Sequence, residues 1–508
     1  MTIRRVVLLL IALLPLGAAS ARPQPTPGDR PLNIILVFAD DLGYRELGCY
    51  GQEKIRTPAI DRLAGEGIRF TRFYSSSTVC APARSAIMTG LHTGNGPIRG
   101  NREIGGWGPE EPEGQWPLPD ASVTLAERLK EQGYATAAMG KWGLGGPGSE
   151  GHPNFQGFDH FYGYLCQRVA HNFFPTHLWR NHDVDVLGGN HFFPAHQRLG
   201  EPLGSDDEYL NRYQGRDFAP EEILREAEGW IADHADEPFF LFFPTTLPHV
   251  ALQAPPEFID RYPREWDPEP YLGERGYLPT ARPRATYAAM IEFIDHSVER
   301  LVRACDDAGV LDDTLIIITS DNGTTFNGGV DRAFFDSLGE LRGFKTNLYE
   351  GGIRVPLIVW RPGLVREGAV TGQVAQLIDL HATVLDLAGV RPPPDIDGLS
   401  LLPTLTGVGE QRSHEILYWE FPEGRQQQAV LMDGRWKAIR PHLRQEDRAA
   451  ALTIELYDLE ADPGETTDLA GERPDLVERA RRAMRDLRTP SAVFPIPALD
   501  ELAESPQR

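Results

Sequence analysis

The apolar positions of this chain follow two patterns that change over near residue 390. Up to that point they form continuous runs separated by helical spacings. Leu32-Asn-Ile-Ile-Leu-Val-Phe-Ala39, Phe239-Phe-Leu-Phe-Phe243, Thr314-Leu-Ile-Ile-Ile-Thr319 and Val355-Pro-Leu-Ile-Val-Trp360 show no polar alternation. Such runs predict strands covered on both faces, as in a parallel or mixed sheet. A shorter strand is expected at 135–139. Apolar residues recur at helical spacing over 58–66, 124–132, 284–308 and 375–388. Ser122 is placed to cap the second of these helices, and Gly133 to stop it. Strands alternating with helices predict an α/β fold, a large mixed sheet sandwiched by helices. Arg391-Pro-Pro-Pro394 marks the change of pattern. Beyond it come short strand-like pieces at 416–421, 428–432 and 436–440, then one helix at 475–487. That order predicts a smaller C-terminal α+β subdomain carrying an antiparallel sheet. The expected units are a main domain over 31–400, the subdomain over 411–490 and a loosely packed tail over 491–508.

The N-terminus adds an address. Arg4 and Arg5 precede an apolar stretch over 6–16, and Ala19-Ser20-Ala21 offers a small-residue cleavage site. This pattern predicts a signal peptide over 1–21, with a linker over 22–30. The apolar stretch is shorter than the ~20 residues a membrane span needs. The expectation is an exported protein, periplasmic or extracellular, with no membrane span. A formal charge of −23, from 50 basic and 73 acidic side chains, argues against nucleic acid as a partner. An anionic substrate would have to be held by a local positive pocket. Four cysteines, Cys49, Cys80, Cys166 and Cys305, do not make a disulfide scaffold.

Candidate chemistry collects at strand ends. Asp40-Asp41 closes the first apolar run, and Asp321-Asn322-Gly323 closes the Ile-rich one. In open α/β sheets ligands bind beyond the carboxyl ends of strands. Carboxylate and amide oxygens without neighbouring His or Cys favour a hard cation, Ca²⁺ or Mg²⁺. A third feature is Cys80-Ala-Pro-Ala-Arg84, after a polar Ser75-Ser-Ser-Thr78 loop and at the head of a helix over 84–90.

Cys-x-Pro-x-Arg in that setting resembles the signature of the type I sulfatases, members of the alkaline phosphatase superfamily. The resemblance runs from the first strand to Leu456-Tyr-Asp-Leu-Glu-Ala-Asp-Pro-Gly-Glu465. It implies that a formylglycine-generating enzyme oxidises Cys80 to formylglycine, whose hydrate is the nucleophile. It also implies one calcium ion held by Asp40, Asp41, Asp321, Asn322 and the modified Cys80. Arg84 would support the formylglycine. Lys141, in Gly140-Lys-Trp-Gly-Leu-Gly145, and Lys345, in Arg342-Gly-Phe-Lys345, match the family's sulfate-binding lysines. His249, in Leu247-Pro-His249, matches the histidine that contacts the sulfate and protonates the leaving oxygen. By the implied mechanism one hydroxyl of the hydrate attacks sulfur, His249 and Lys345 assist departure of the alcohol, and the sulfated hydrate then eliminates sulfate.

One position departs from the family. Many sulfatases carry histidine where this chain has Gly143, and that histidine is proposed as a base. Seven of the 14 histidines lie between His152 and His196, and His171 is the first candidate to replace it. The same region holds Phe155, Phe158, Tyr162, Phe173, Phe174 and Trp179, which with Tyr418-Trp-Glu420 are expected to line a sugar pocket. The resulting expectation is a sulfatase acting on sulfated carbohydrates. Two alternatives stand beside it. A phosphate or phosphonate monoester hydrolase of the same superfamily tends to carry His where Asn322 stands. A non-catalytic glycan-binding relative has Gly143 as its only support.

Overall fold

The computed structural model describes residues 31–105 and 113–504. The expected signal peptide and linker lie outside the described residues. Among the described residues ten strands form the main sheet. Its order is Ala369–Thr371, Ile68–Phe70, Leu357–Trp360, Thr314–Ser320, Asn33–Ala39, Phe239–Phe243, Ala135–Lys141, His160–Tyr164, His177–Arg180 and Asp183–Val186. The five strands from Thr314–Ser320 to His160–Tyr164 are mutually parallel. Antiparallel neighbours flank them on both sides. The sheet is therefore mixed, as expected.

The continuous apolar runs have a simple cause. Side chains alternate between sheet faces, and both faces are covered. In Asn33–Ala39, Ile35, Val37 and Ala39 join a core with helix Pro283–Asp307. Ile34, Leu36 and Phe38 join the opposite core with helices Cys80–Thr89 and Leu377–Leu387. Either set exposed would break the sandwich. Truncating one such residue to Ala costs about 2–5 kcal/mol.

The C-terminal subdomain is a four-stranded antiparallel sheet, Ile416–Phe421, Gln427–Met432, Trp436–Arg440 and Glu455–Asp458. Helix Pro474–Asp486 covers one face. The other face, with Leu417, Trp419 and Phe421, packs on Tyr74, Leu348 and Ile353 of the main domain. A buried ion cluster ties the two units together: Lys437 Nζ lies 2.9 Å from Glu350 and 3.0 Å from Glu465.

Several details differ from the sequence reading. The helix of the Cys-x-Pro-x-Arg motif begins at Cys80, not Arg84. Pro82 sits in its first turn, where a missing N–H costs nothing. Helix Leu125–Lys130 is capped by Thr124, not Ser122, because Glu127 completes a capping box there. The described part of the tail is not loose, since Phe494, Ile496 and Leu499 are buried and Arg488 bonds both Glu420 and Asp500. Phe158, Tyr162 and Phe173 belong to the core rather than to a pocket wall, while Phe174, also buried, lines a cavity with His191 and Phe218. Tyr418, Trp419 and Glu420 are likewise fully buried. Trp419 Nε1 instead donates to the Ser75 carbonyl at 2.7 Å, which steadies the polar loop before Cys80.

Candidate active site

The parallel strands end at one edge of the sheet, and four of the five deliver side chains there. Asp40 and Asp41 follow Asn33–Ala39, Lys141 ends Ala135–Lys141, and Asp321 and Asn322 follow Thr314–Ser320. His249 stands past Phe239–Phe243, and its backbone N–H donates to the Thr246 carbonyl at 3.1 Å. In a continued strand neighbouring side chains would point to opposite faces. Asp41 instead takes φ 69°, a left-handed conformation that Asp tolerates better than most residues. The two carboxylates then converge.

Cys80 faces them from the helix N-terminus. Its Sγ lies 3.3 Å from Asp40 Oδ1, and Lys345 Nζ lies 3.6 Å from Sγ. Arg84, one turn on and so on the same helix face, donates to Asp321 Oδ2 at 3.1 Å and to the Lys141 carbonyl at 2.5 Å. It also lies 3.4 Å from Asp40. Lys141 Nζ donates to Asp40 Oδ2 at 2.5 Å, and Lys345 Nζ to Asp41 Oδ2 at 2.9 Å. All of these residues are buried.

Burial and charge shape the protonation of the group. Burial pushes Asp40 up, but Lys141, His249, Arg84 and Lys345 outweigh it and hold the carboxyl well below the usual range. Burial raises the Cys80 thiol, and the charge of Asp40 raises it further. Burial and Lys345 hold His249 well below the ordinary value, so the imidazole is neutral. Its Nδ1 sits 2.5 Å from the Val250 carbonyl. Nδ1 therefore carries the proton and donates, and Nε2, 3.7 Å from Asp41 Oδ2, is the exchangeable atom.

The structure brings His171 to the same place. Its ring lies parallel to that of His249, with centroids 5.0 Å apart and an 8° interplanar angle. Tyr277 stands edge-on to both. Tyr277 has φ 66°, and nothing in the sequence around it signals a site. Asn101 and Gln167 were missed for the same reason. Asn101 Oδ1 accepts from the Ala81 N–H at 2.9 Å and from Gln167 Nε2 at 3.3 Å, which anchors the first turn of the Cys80 helix. Gly143 has φ 75°, and a Cβ added there would lie 3.4 Å from Gln167 and 3.5 Å from Arg84. There is room for a side chain, and the backbone conformation is what favours glycine.

The donor set fits a cation. Oxygen, nitrogen and sulfur atoms of Asp40, Asp41, Cys80 and His249 lie within 4.8 Å of one another. Asn322 Nδ2 donates to Asp41 Oδ1 at 2.7 Å, while its Oδ1 is buried with no partner among the described residues. A buried amide oxygen without a partner is costly unless something binds it. Asp321 is tied in by the Asp41 N–H at 3.0 Å and by Arg84. Burial and the charge of Asp40 push its carboxyl up to about 7, crowding that a cation relieves.

Comparison with known proteins agrees with this geometry. The family model described as Sulfatase matches residues 32–390. The model described as N-sulphoglucosamine sulphohydrolase, C-terminal, matches residues 339–489. N-acetylgalactosamine-6-sulfatase of Canis lupus familiaris is 32% identical over 449 residues, covering 85% of this chain and 74% of that protein. N-acetylgalactosamine-6-O-sulfatase of Bacteroides thetaiotaomicron is 28% identical over 515 residues, covering 90% of this chain and 93% of that protein. Among solved structures, Ps i-CgsB in complex with k-i-k-neocarrahexaose superposes with a TM-score of 0.69 at 25% identity. That match covers 90% of this chain and 92% of that one.

Proposed function

This chain belongs to the sulfatase family and is a sulfuric ester hydrolase. From that premise we propose that it releases sulfate from sulfated carbohydrates, using a formylglycine made from Cys80 and a bound calcium ion. The observation that carries the reading is the Cys80 side chain itself, set between Asp40 and Lys345 at the head of a buried helix. Asp40, Asp41, Asp321, Asn322 and the modified Cys80 would hold the calcium. When bound, the ion supplies Lewis acidity toward sulfate oxygens and the formylglycine supplies a nucleophilic hydroxyl.

The remaining chemistry belongs to ordinary side chains. Lys141 and Lys345 bring fixed positive charge to the place where a sulfate would bind, and fixed charge is the main stabiliser of charge developing on sulfate oxygens. Arg84 locks Asp321, Asp40 and the Lys141 backbone into one unit. With Nδ1 anchored on Val250, the free Nε2 of His249 takes up a proton from solvent when the anionic sulfate ester binds beside it and passes that proton to the departing sugar oxygen. His171 and Tyr277 hold the His249 ring from one side. His171 is also the proposed proton acceptor in place of a side chain at Gly143.

Export to the periplasm or the medium is part of the proposal. Arg4, Arg5 and the apolar stretch over 6–16 support it, and a formylglycine-generating enzyme is then the maturation partner. Among the described residues no helix is long and apolar enough to cross a membrane. Mass spectrometry of the Cys80 peptide from the native host tests the modification. Sulfate release from defined sulfated mono- and disaccharides tests the activity, starting with N-acetylgalactosamine 6-sulfate because two relatives carry that name. Hydrolysis of phosphate esters with no sulfate release from the whole panel would overturn the proposal in favour of a phosphate ester hydrolase.

A further inference from the structure

The C-terminal subdomain holds a cationic cavity of about 810 Å³. It opens between the end of strand Trp436–Arg440 and helix Pro474–Asp486, with Leu499 and Leu502 of the last helix on its rim. Four arginines line it, Arg440, Arg481, Arg485 and Arg488, and among the described residues no carboxylate does. That is unexpected in a chain with a net charge of −23. Three of the four are already paired: Arg481 with Glu478 at 2.6 Å, Arg485 with Asp486 at 2.9 Å and Arg488 with Glu420 at 2.9 Å.

Arg440 is different. It is 4% exposed and has no ion-pair partner among the described residues. One guanidinium nitrogen donates to Gln428 Oε1 at 2.7 Å, and Nε has no partner. Burial, with Arg481 close by, lowers its pKa to about 10. A buried cation without a counter-charge is expensive. An anion entering the cavity beside Arg440 would supply the missing counter-charge.

Apart from Gln428 and Thr453 the rest of the lining is apolar, including Leu452, Val477 and Met484. The volume lies within the range of small-molecule sites. A bare inorganic anion would leave those side chains facing water, and a neutral apolar molecule would leave Arg440 unpaired. We propose that this cavity binds an amphipathic organic anion, with its acidic head on Arg440 and a short apolar body against Leu452, Val477 and Met484. The site is separate from the reacting centre and does not depend on the activity assigned above.

Isothermal titration calorimetry on the full-length enzyme tests it, with hexanoate, hexan-1-ol and sodium sulfate as probes. Hexanoate should bind once per chain and saturate. Each of the other two lacks half of the recognised chemistry and should bind at least about tenfold more weakly, the size of one lost charged hydrogen bond or of a few buried methylenes. Arg440→Met should weaken hexanoate at least about tenfold. Leu452→Trp, which fills the cavity and keeps the arginine, should do the same and carries the test if Arg440→Met does not fold. Hydrolysis of an aryl sulfate by each variant reports an intact fold. No saturable hexanoate heat, heat that survives both substitutions, or sulfate binding as tightly as hexanoate would each overturn the proposal.

Discussion

His249 offers the sharpest test of how the site works, because its effect should depend on the leaving group. The ring is 3% exposed. It is pinned by Nδ1 on Val250 at 2.5 Å and by the parallel His171 ring at 5.0 Å. Nε2 therefore has a fixed aim. General acid–base catalysis by a positioned side chain is worth roughly 10²–10⁴ in rate, or about 3–5 kcal/mol of barrier. For His249→Ala on a sugar sulfate, the rigid setting places the expected loss of kcat in the upper part of that range, about 10³–10⁴. A nitrophenyl sulfate needs little help, since nitrophenolate leaves without a proton. Its kcat should fall by less than about tenfold, the residual effect of a lost ring contact near the substrate. KM should change little for either, because protonation is needed only as the bond breaks. The assay is steady-state sulfate release from both substrates by the same preparation, with wild-type enzyme alongside. Equal losses on the two substrates would refute the assignment. They would mean that His249 supports the architecture of the site rather than the departure of the alcohol.

Three further outcomes follow from the same geometry. Exhaustive treatment with a calcium chelator should abolish sulfate release, and calcium should restore it; activity that survives chelation would remove the ion from the site. Lys437→Met should lower the urea midpoint by an amount equivalent to about 3–5 kcal/mol, because Glu465 is left buried without its cation and Glu350 keeps only Arg354, at 3.5 Å. Adding Glu350→Gln and Glu465→Gln should recover most of the loss. Gly140→Ala should prevent folding, since its Cβ would lie 2.1 Å from the Pro244 carbonyl oxygen, whereas Gly143→Ala, whose nearest contact is 3.4 Å, should cost only about 1 kcal/mol of backbone strain. Thermal unfolding and expression yield separate these two.

What could be read from the sequence follows burial. Asn33–Ala39 and Thr314–Ser320 stand out because both faces are covered, which forces every position to be apolar. His177–Arg180 and Asp183–Val186 at one sheet edge did not, because a partly exposed strand pair can be short and polar. The start of the Cys80 helix was masked by Pro82, which reads as a breaker unless it falls in a first turn. That Asp40-Asp41 and Asp321-Asn322 meet was legible because strand ends deliver side chains to a common edge. Tyr277, Asn101 and Gln167 reach the site from loops, where no period constrains the sequence. The histidine-rich stretch misled in part. His171 does meet His249, but His152 stacks on His182 instead; Phe158, Phe173 and Phe174 went to the core, and Phe155 is exposed.

The charges of the site explain how so acidic a chain can handle an anion. Asp40 pairs with Lys141, Asp41 with Lys345, and Asp321 with Arg84. Three buried carboxylates are thus matched by three buried cations, and the Cys80 thiol, pushed up by burial, adds no further negative charge. Before anything binds, the centre is close to neutral inside a region of low dielectric. Each additional positive charge there acts with little screening, so a divalent ion changes the local potential far more than the surface charge of the whole chain does. Recognition of a sulfate ester then rests on the buried centre rather than on long-range attraction. The same account shows why the lysines cannot be exchanged for neutral residues without loss. Removing Lys141 or Lys345 strips the partner from Asp40 or Asp41 and leaves an uncompensated buried carboxylate facing the substrate.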